Sequence, residues 1–168
     1  MSNKLFIICP FSYMESCLKN KYGKDIFFLT SSGAVFQNKE FEYLAALRDF
    51  IIQEEIKTVY VVNDTSCRFI NGIINKKRSV GLSSEKVIEA LYIEHYFSDF
   101  KDQTLLHQQK KLAELNIKKQ ANEILNSSII GNYLTESEVQ IKGLITSKDN
   151  MIFNEIKLEN ISDKIYEF

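Results

Sequence analysis

Residues 58–67, with the sequence TVYVVNDTSC, decide the fold that this chain is expected to adopt. The first five residues are β-branched or aromatic, which is typical of a strand that is buried on both faces. The polar residues Asn63 and Asp64 end this strand, and Asp64 or Thr65 can cap a helix that begins near Cys67. A strand that leads directly into a helix is the repeating unit of a parallel α/β sheet.

The same order of strand and helix occurs upstream of this stretch. Residues 4–8 contain a short apolar run that ends at Cys9, and Pro10 suits the first turn of a helix predicted to reach about Lys21. Residues 26–29 form a second apolar run, and residues 40–54 carry apolar side chains at helical spacing. This alternation predicts a mainly parallel central sheet with right-handed crossovers and flanking helices.

The second half of the chain is predicted to be mostly helical and to end in a hairpin. Helices are predicted from Ser83 through Tyr96 and over residues 102–125. Residues 139–145 begin with strand-like alternation, residues 148–150 supply a turn, and residues 151–153 start a return strand. We therefore predict a single α/β domain over residues 1–168, with an antiparallel hairpin at the sheet edge.

The composition excludes several classes of function. Hydrophobic residues make up 45% and charged residues 26% of the 168 residues, as in ordinary soluble globular proteins. The net charge of -1 offers no general attraction to nucleic acid or to anionic membranes, and the basic residues 76–78 are interpreted as a solvated turn. No segment has the length of a membrane span or the features of a signal peptide. We therefore expect a cytoplasmic protein without nucleic-acid or membrane partners.

The cysteines mark the candidate functional site. The three cysteines do not form a disulfide framework. Cys9 and Cys67 each follow a predicted strand, and open α/β sheets bind ligands beyond the carboxyl ends of their strands. Asp64 precedes Cys67 by one helical turn, so these three residues can be a zinc set completed by water, or two buried thiols beside a capping carboxylate. Cys9 before a helix can also be a reactive thiolate, although no histidine lies nearby in sequence to act as a base.

The layout resembles that of the β-class carbonic anhydrases. In that family one strand ends in Cys-x-Asp-Ser-Arg and a later one in His-x-x-Cys, where residues 9–13 (CPFSY) and 64–67 (DTSC) stand here. Residues 24–27 (KDIF) resemble the family's Gly-Asp-x-Phe, and residues 116–120 (NIKKQ) resemble the start of its Asn-Val-x-x-Gln helix. The hairpin around Gly143 resembles the closing Gly-x-x-Tyr-Asp segment, with Thr146 and Ser147 in the last two places. The resemblance spans Lys4 to about Glu155 and implies a β-carbonic-anhydrase-like fold.

The departures from the family pattern concern its chemistry. The resemblance implies that Cys9 and Cys67 keep the positions of the two thiolate zinc ligands, whereas Asp64 replaces the histidine ligand. Phe11 and Tyr13 replace the Asp–Arg pair that orients the zinc-bound hydroxide, and residues 30–34 (TSSGA) replace the family's Arg-Asn-x-Gly-Asn. A carboxylate in place of imidazole makes the metal centre more negative, which raises the pKa of bound water. Phe11 cannot accept a hydrogen bond from the hydroxide.

We therefore predict a β-carbonic-anhydrase-like protein that has lost carbon dioxide hydration and serves in binding or another role. We expect zinc to be absent and assign no catalytic residue. Two alternatives stay open: a zinc lyase with the atypical ligands Cys9, Asp64 and Cys67, and a thiol-based enzyme that uses Cys9 with or without Cys67. The resemblance also implies a homodimer formed through the second strand, and the sequence does not name a small-molecule ligand.

Overall fold

The structure, a computed structural model, describes residues 2–77 and 81–158 and contains one five-stranded sheet. The strands are β1 (Asn3–Ile8), β2 (Ile26–Thr30), β3 (Ile56–Asp64), β4 (Gln140–Ser147) and β5 (Ile152–Ile156). Their order in the sheet is β2-β1-β3-β4-β5. The first four strands are parallel, and β5 pairs with β4 in the antiparallel direction. The predicted mainly parallel sheet with an antiparallel edge hairpin is confirmed.

Helices flank this sheet on both sides. The α-helices of the described residues are α1 (Glu15–Tyr22), α2 (Phe41–Gln53), α3 (Arg68–Ile74), α4 (Ser83–Glu94), α5 (Leu105–Asn126) and α6 (Ile130–Glu136). Short 3-10 turns occur at Pro10–Ser12 and Ser32–Ala34, and a π-helical turn follows α4 at Tyr96–Phe100. None of these helices has the length and apolar character that crossing a membrane requires.

The alternating side chains of β1 and β3 place apolar groups on both faces of the sheet. Leu5 and Val59 belong to a core that α2, α5 and α6 cover. Phe6 and Tyr60, on the opposite face, stack with ring centroids 4.8 Å apart in a second core that includes Leu18 of α1. A third buried cluster lies beyond the carboxyl ends of the strands, where α3, α4 and α5 meet. This third cluster contains both cysteines of the candidate site.

Three details differ from the sequence-based expectations. The helix expected after Pro10 is interrupted, because a 3-10 turn closes at Ser12 and Tyr13 adopts a left-handed backbone with φ of 53°. Helix α3 starts at Arg68 with no side-chain cap, so the expected capping by Asp64 or Thr65 is wrong. Helix α6 was not expected. The basic cluster is described only as far as residue 77, and Arg78 lies outside the described residues.

Candidate functional site

Cys9 is held at the carboxyl end of β1 by the turn that follows it. Its carbonyl oxygen accepts hydrogen bonds from the Ser12 N–H at 3.0 Å and from Ser12 Oγ at 2.7 Å. Pro10 suits the first position of this turn because it has no N–H to satisfy. The Cys9 side chain is 1% exposed and points into the apolar cluster beyond the strands.

Cys67 reaches the same cluster from the end of β3. In the tight turn after Asp64, the N–H of Cys67 donates to the carbonyl oxygen of Asp64 at 3.0 Å. Cys67 is the residue immediately before α3. Its side chain is 2% exposed. The expectation that the two strand ends bring these cysteines together is confirmed, because β1 and β3 are adjacent strands and both cysteines belong to the same buried cluster.

The two thiols differ in their acidity. The hydrogen bond from Cys67 is the main cause that lowers the pKa of Cys9 to about 7. Burial raises the pKa of Cys9, but this effect is smaller. Hydrogen bonds from backbone N–H groups, of which Gly33 contributes most, lower the pKa further. The pKa of Cys67 is raised by its hydrogen bond to Cys9, by burial and by the negative charge on Cys9. The arrangement of the pair therefore favours ionisation of Cys9 and keeps Cys67 protonated.

The N–H of Gly33 supplies the backbone donor to this thiolate, with its nitrogen 3.1 Å from Cys9 Sγ. Gly33 has a φ of 67°, which favours glycine, and a Cβ atom there would lie 2.5 Å from Ile88 Cδ1. Both the backbone conformation and the close approach of α4 thus require a residue without a side chain. The family resemblance indicates only lost polar groups at residues 30–34 and gives no sign of this role of Gly33.

A chain of buried amides holds the Gly33 loop in place. Asn116 Nδ2 donates to the Gly33 oxygen at 2.8 Å and to Asn63 Oδ1 at 2.7 Å. Gln120 Nε2 donates to Asn116 Oδ1 at 3.1 Å, and Gln120 Oε1 accepts from the N–H of Phe36 at 2.8 Å. Buried amides that are fully paired in this way fix the geometry of their neighbours. The Asn-x-x-x-Gln spacing of α5 therefore serves to position the loop that contacts Cys9.

The Asp64 carboxylate is engaged by the neighbouring strand and by its own turn. Thr146 Oγ1 donates to Asp64 Oδ2 at 2.7 Å, and the N–H of Lys148 donates to the same oxygen at 2.9 Å. Oδ1 accepts from the N–H of Ser66 at 2.9 Å and also from the Ser66 hydroxyl. Asp64 is 1% exposed, so these four bonds satisfy a carboxylate that is otherwise cut off from water.

These contacts bear on whether the three candidate ligands fit a zinc ion. Cys9 and Cys67 face each other, but both oxygens of Asp64 are occupied by donors from Ser66 and the β4 end. Within residues 2–77 and 81–158, no group of three His, Cys, Asp or Glu side chains is arranged to hold a metal ion. The described part of the chain thus offers two sulfur ligands and no free third ligand beside them, which does not fit the three-ligand pattern of zinc enzymes.

Phe11 and Tyr13 take up positions suited to packing. The Phe11 ring stacks on Phe69 with centroids 5.3 Å apart and an angle of 24° between the planes. Tyr13 is exposed, and its ring lies 5.4 Å from the ammonium group of Lys148. Neither side chain hydrogen-bonds to the cysteine pair. Phe11 also packs against the buried cluster that contains both cysteines.

An apolar groove of about 790 Å³ opens on the outer side of Phe11, between α3 and α4. Phe69 of α3 lines it together with Tyr92 of α4, and Phe97 of the π-helical turn lines it as well. The sequence analysis did not predict this groove. The signal that could have indicated it is the exposed apolar face that Ile93 and Phe97 leave at the end of an otherwise amphipathic helix.

Comparisons with known proteins support the fold. No protein-family model matches the chain, and no curated protein matches its sequence. Among solved structures, the β-carbonic anhydrase CafA of Aspergillus fumigatus superposes with a TM-score of 0.81 at 18% identity, covering 96% of this chain and 78% of that one. One of two tetrameric β-carbonic anhydrases of Sordaria macrospora gives a TM-score of 0.77 at 13% identity, covering 92% and 80%. The β-carbonic anhydrase of Coccomyxa, in complex with acetazolamide, gives 0.70 at 15% identity, covering 92% and 72%. The chain therefore has a β-carbonic-anhydrase-like fold, as the sequence resemblance predicted.

Proposed function

We propose that this chain is a protein of β-carbonic-anhydrase-like fold that does not hydrate carbon dioxide and instead binds a ligand. The observation that carries the proposal is the hydrogen bonding of Asp64, whose two oxygens accept four bonds within the fold. The residue at the third ligand position thus ties β3 to the end of β4. Releasing it for a metal would leave the buried Thr146 hydroxyl without its acceptor, at a cost of about 1–3 kcal/mol, and would also break the part-buried bonds from Ser66 and Lys148.

The packing of Phe11 supports the same proposal. Hydration needs a group that accepts a hydrogen bond from the attacking hydroxide and holds it in line with the substrate. The ring of Phe11 has no such acceptor and is stacked on Phe69. The apolar groove beyond this ring has the size and lining of a small-molecule site.

A stopped-flow assay of carbon dioxide hydration tests the proposal. The purified chain, supplied with zinc, should show only the rate of the buffer, while an active β-carbonic anhydrase measured alongside shows the assay's response. A rate above the buffer background that disappears in Cys67→Ser would overturn the proposal, because it would place hydration chemistry at the thiol pair.

The facing thiols keep the zinc lyase as an alternative, since two adjacent sulfurs are good zinc ligands. Metal analysis of the dialysed protein tests it. We expect no stoichiometric zinc. Stoichiometric zinc in the wild type that is lost in both Cys9→Ser and Cys67→Ser, but kept in Cys17→Ser, would favour the alternative.

Thiol chemistry at Cys9 is the other alternative, favoured by the pKa of about 7 and by the Gly33 N–H that donates to its sulfur. Burial of the sulfur opposes it, because a nucleophile must reach its substrate. Alkylation by iodoacetamide in the native state separates the two cases. We expect Cys9 to react more slowly than the half-buried Cys17, and faster reaction of Cys9 would support a thiol enzyme.

We also propose that the chain forms a homodimer through β2, which is an edge strand of the sheet with half-buried apolar side chains. The tetrameric Sordaria macrospora proteins show that this fold is compatible with self-association. Sedimentation should give twice the chain mass of 19.5 kDa, and a monomer mass would contradict the proposal.

A further inference from the structure

The groove between α3 and α4 is lined by large apolar side chains that are strongly exposed. Phe97 is 82% exposed and Ile93 is 65% exposed, and both line the groove. Clustered exposed apolar side chains in a concave surface are typical of ligand sites. The volume of about 790 Å³ lies in the range of small-molecule pockets.

The rings around the groove favour a flat aromatic ligand. Phe11 and Phe69 form a stacked pair on one side. On the other side Tyr96 packs edge-on against Tyr92 at 5.8 Å and against Phe97 at 5.4 Å, measured between ring centroids. A ring placed between these groups can stack on the first pair and meet the others edge-to-face, which are the two favoured aromatic geometries.

The charged side chains that line the groove favour a single negative charge on the ligand. Arg68, Lys76 and Lys77 line it, and none of the three forms an ion pair with a carboxylate among the described residues. Glu85 and Glu89 line it from α4, and Glu85 accepts a hydrogen bond from the N–H of Gly81. Counted over the described residues that line the groove, these five side chains have a formal charge of one positive, which complements a monoanion.

We propose that this groove binds a small aromatic carboxylate, with its ring on the Phe11–Phe69 pair and its carboxylate at the basic side chains. The proposal rests on the binding role proposed above and specifies the chemical class of the ligand. Arg68 is the expected main contact, because a guanidinium pairs with a carboxylate through two parallel hydrogen bonds. Lys76 and Lys77 contribute longer-range attraction that salt weakens.

Gly72 gives a test that does not depend on damaging the fold. It lines the groove within α3, and a Cβ atom there would meet no other atom within 4 Å. Gly72→Leu should therefore fold and fill the groove with its side chain. Gly72→Ala is the matched control, since it adds only a methyl group and both variants replace a poor helix former.

Calorimetric titration of the full chain with naphthoate at low salt measures the binding. We expect naphthoate to bind about tenfold more tightly than the neutral naphthamide, since a hydrogen-bonded charge pair contributes this much. Gly72→Leu should weaken naphthoate binding by at least about tenfold, whereas Gly72→Ala keeps it. Arg68→Gln should weaken naphthoate binding by about three- to tenfold and leave naphthamide unchanged.

Several outcomes would overturn the proposal. Absence of binding, or binding that Gly72→Leu leaves unchanged, would show that the groove does not take this ligand. Equal affinity for naphthoate and naphthamide would show that the basic side chains do not recognise the carboxylate. If naphthoate fails to bind and Gly72→Leu also converts a dimer to monomers in sedimentation, a second copy of the chain occupies the groove. The hydration assay tests the proposed function independently of these titrations. Failure of the ligand proposal can therefore be distinguished from failure of the proposed function.

Discussion

At the residue scale, the site is defined by two buried cysteines, of which Cys9 receives hydrogen bonds from both Cys67 and the backbone. The Cys67 thiol donates to Cys9, and the Gly33 N–H donates to the same sulfur. Cys67 is thereby kept protonated while Cys9 ionises at a pKa of about 7. Identical side chains thus acquire opposite pKa shifts from their places in one hydrogen-bonded pair.

Replacing Cys67 tests this division of roles. The ultraviolet absorbance of thiolates, followed against pH, should show a transition of Cys9 near pH 7 in the wild type. Cys67→Ala removes the donor and should move that transition upward by at least about one unit, because burial is then opposed only by backbone donors. Cys67→Ser keeps a donor and should leave it close to the wild-type value. The same shift in both variants would contradict the assigned hydrogen bond.

Asp64 is predicted to stabilise the fold through its hydrogen bonds. Asp64→Ala leaves the donors of Ser66, Thr146 and Lys148 without their acceptor and should lower the free energy of unfolding by about 3–5 kcal/mol. Thr146→Val removes only one of these bonds at nearly constant volume and should cost about 1–3 kcal/mol. Urea unfolding measures both. If Asp64→Ala is as stable as the wild type, the carboxylate is not held as described.

At the element scale, the Ser32–Ala34 turn is the part that connects the helices to the thiol pair. It donates to Cys9 through Gly33, accepts from Asn116 of α5, and lies against Ile88 of α4. Besides packing in the cluster that contains the cysteines, helices α4 and α5 therefore both contact the loop whose Gly33 N–H donates to Cys9. Neither helix provides a side chain that hydrogen-bonds to the cysteines.

The contact between this loop and α4 can be tested with a pair of variants. Gly33→Ala should destabilise the fold by about 2–4 kcal/mol, because a methyl group meets Ile88 Cδ1 and the left-handed backbone is unfavourable for alanine. Ile88→Val removes that Cδ1 atom and alone should cost about 0.5–1.5 kcal/mol. The double variant should recover about 1 kcal/mol relative to the sum of the single effects, as measured by urea unfolding. Additive effects would mean that the steric contact is not the cause.

The elements differ in how far the sequence could predict them. Strands β1 and β3 are recognisable because their apolar runs are buried on both faces, and because the first ends before Cys9-Pro10 and the second in Asn63 and Asp64. The break before α1 depends on the left-handed backbone of Tyr13, which a tyrosine rarely adopts and which no local pattern signals. The role of Asp64 depends on Thr146, 82 residues away, whereas the local sequence indicates only a helix cap or a metal ligand at this position. The groove arises from the exposed faces of two helices, and periodicity reports mainly the buried ones.

At the scale of the whole molecule, the thiol pair links stability to pH. Cys9 has a lower pKa in the folded chain than its ordinary value of 9.0, so its ionisation favours the folded state. That contribution is fully present above pH 9.0 and is lost as the pH falls to about 7. Cys67 has a raised pKa and acts in the opposite sense only above its ordinary value of 9.0.

The free energy of unfolding should therefore rise between about pH 7 and 9 under reducing conditions. Urea unfolding at several pH values in this window measures it. Cys9→Ala provides the control and should show a flatter dependence, whereas Cys17→Ser should keep the wild-type slope. A wild-type slope that Cys9→Ala does not change would assign the pH dependence to other groups.

The hydrogen bonds at the strand ends also have a consequence for the order in which the chain folds. Asp64 is separated from Thr146 by 82 residues, and Gly33 from Asn116 by 83. Contacts of such high sequence separation form slowly, because most of the chain must be ordered before they close. During synthesis, the Asp64 carboxylate can be buried with its hydrogen-bond donor Thr146 only after β4 has left the ribosome. The corner that holds the two sulfurs is therefore expected to be among the last parts of the molecule to become native.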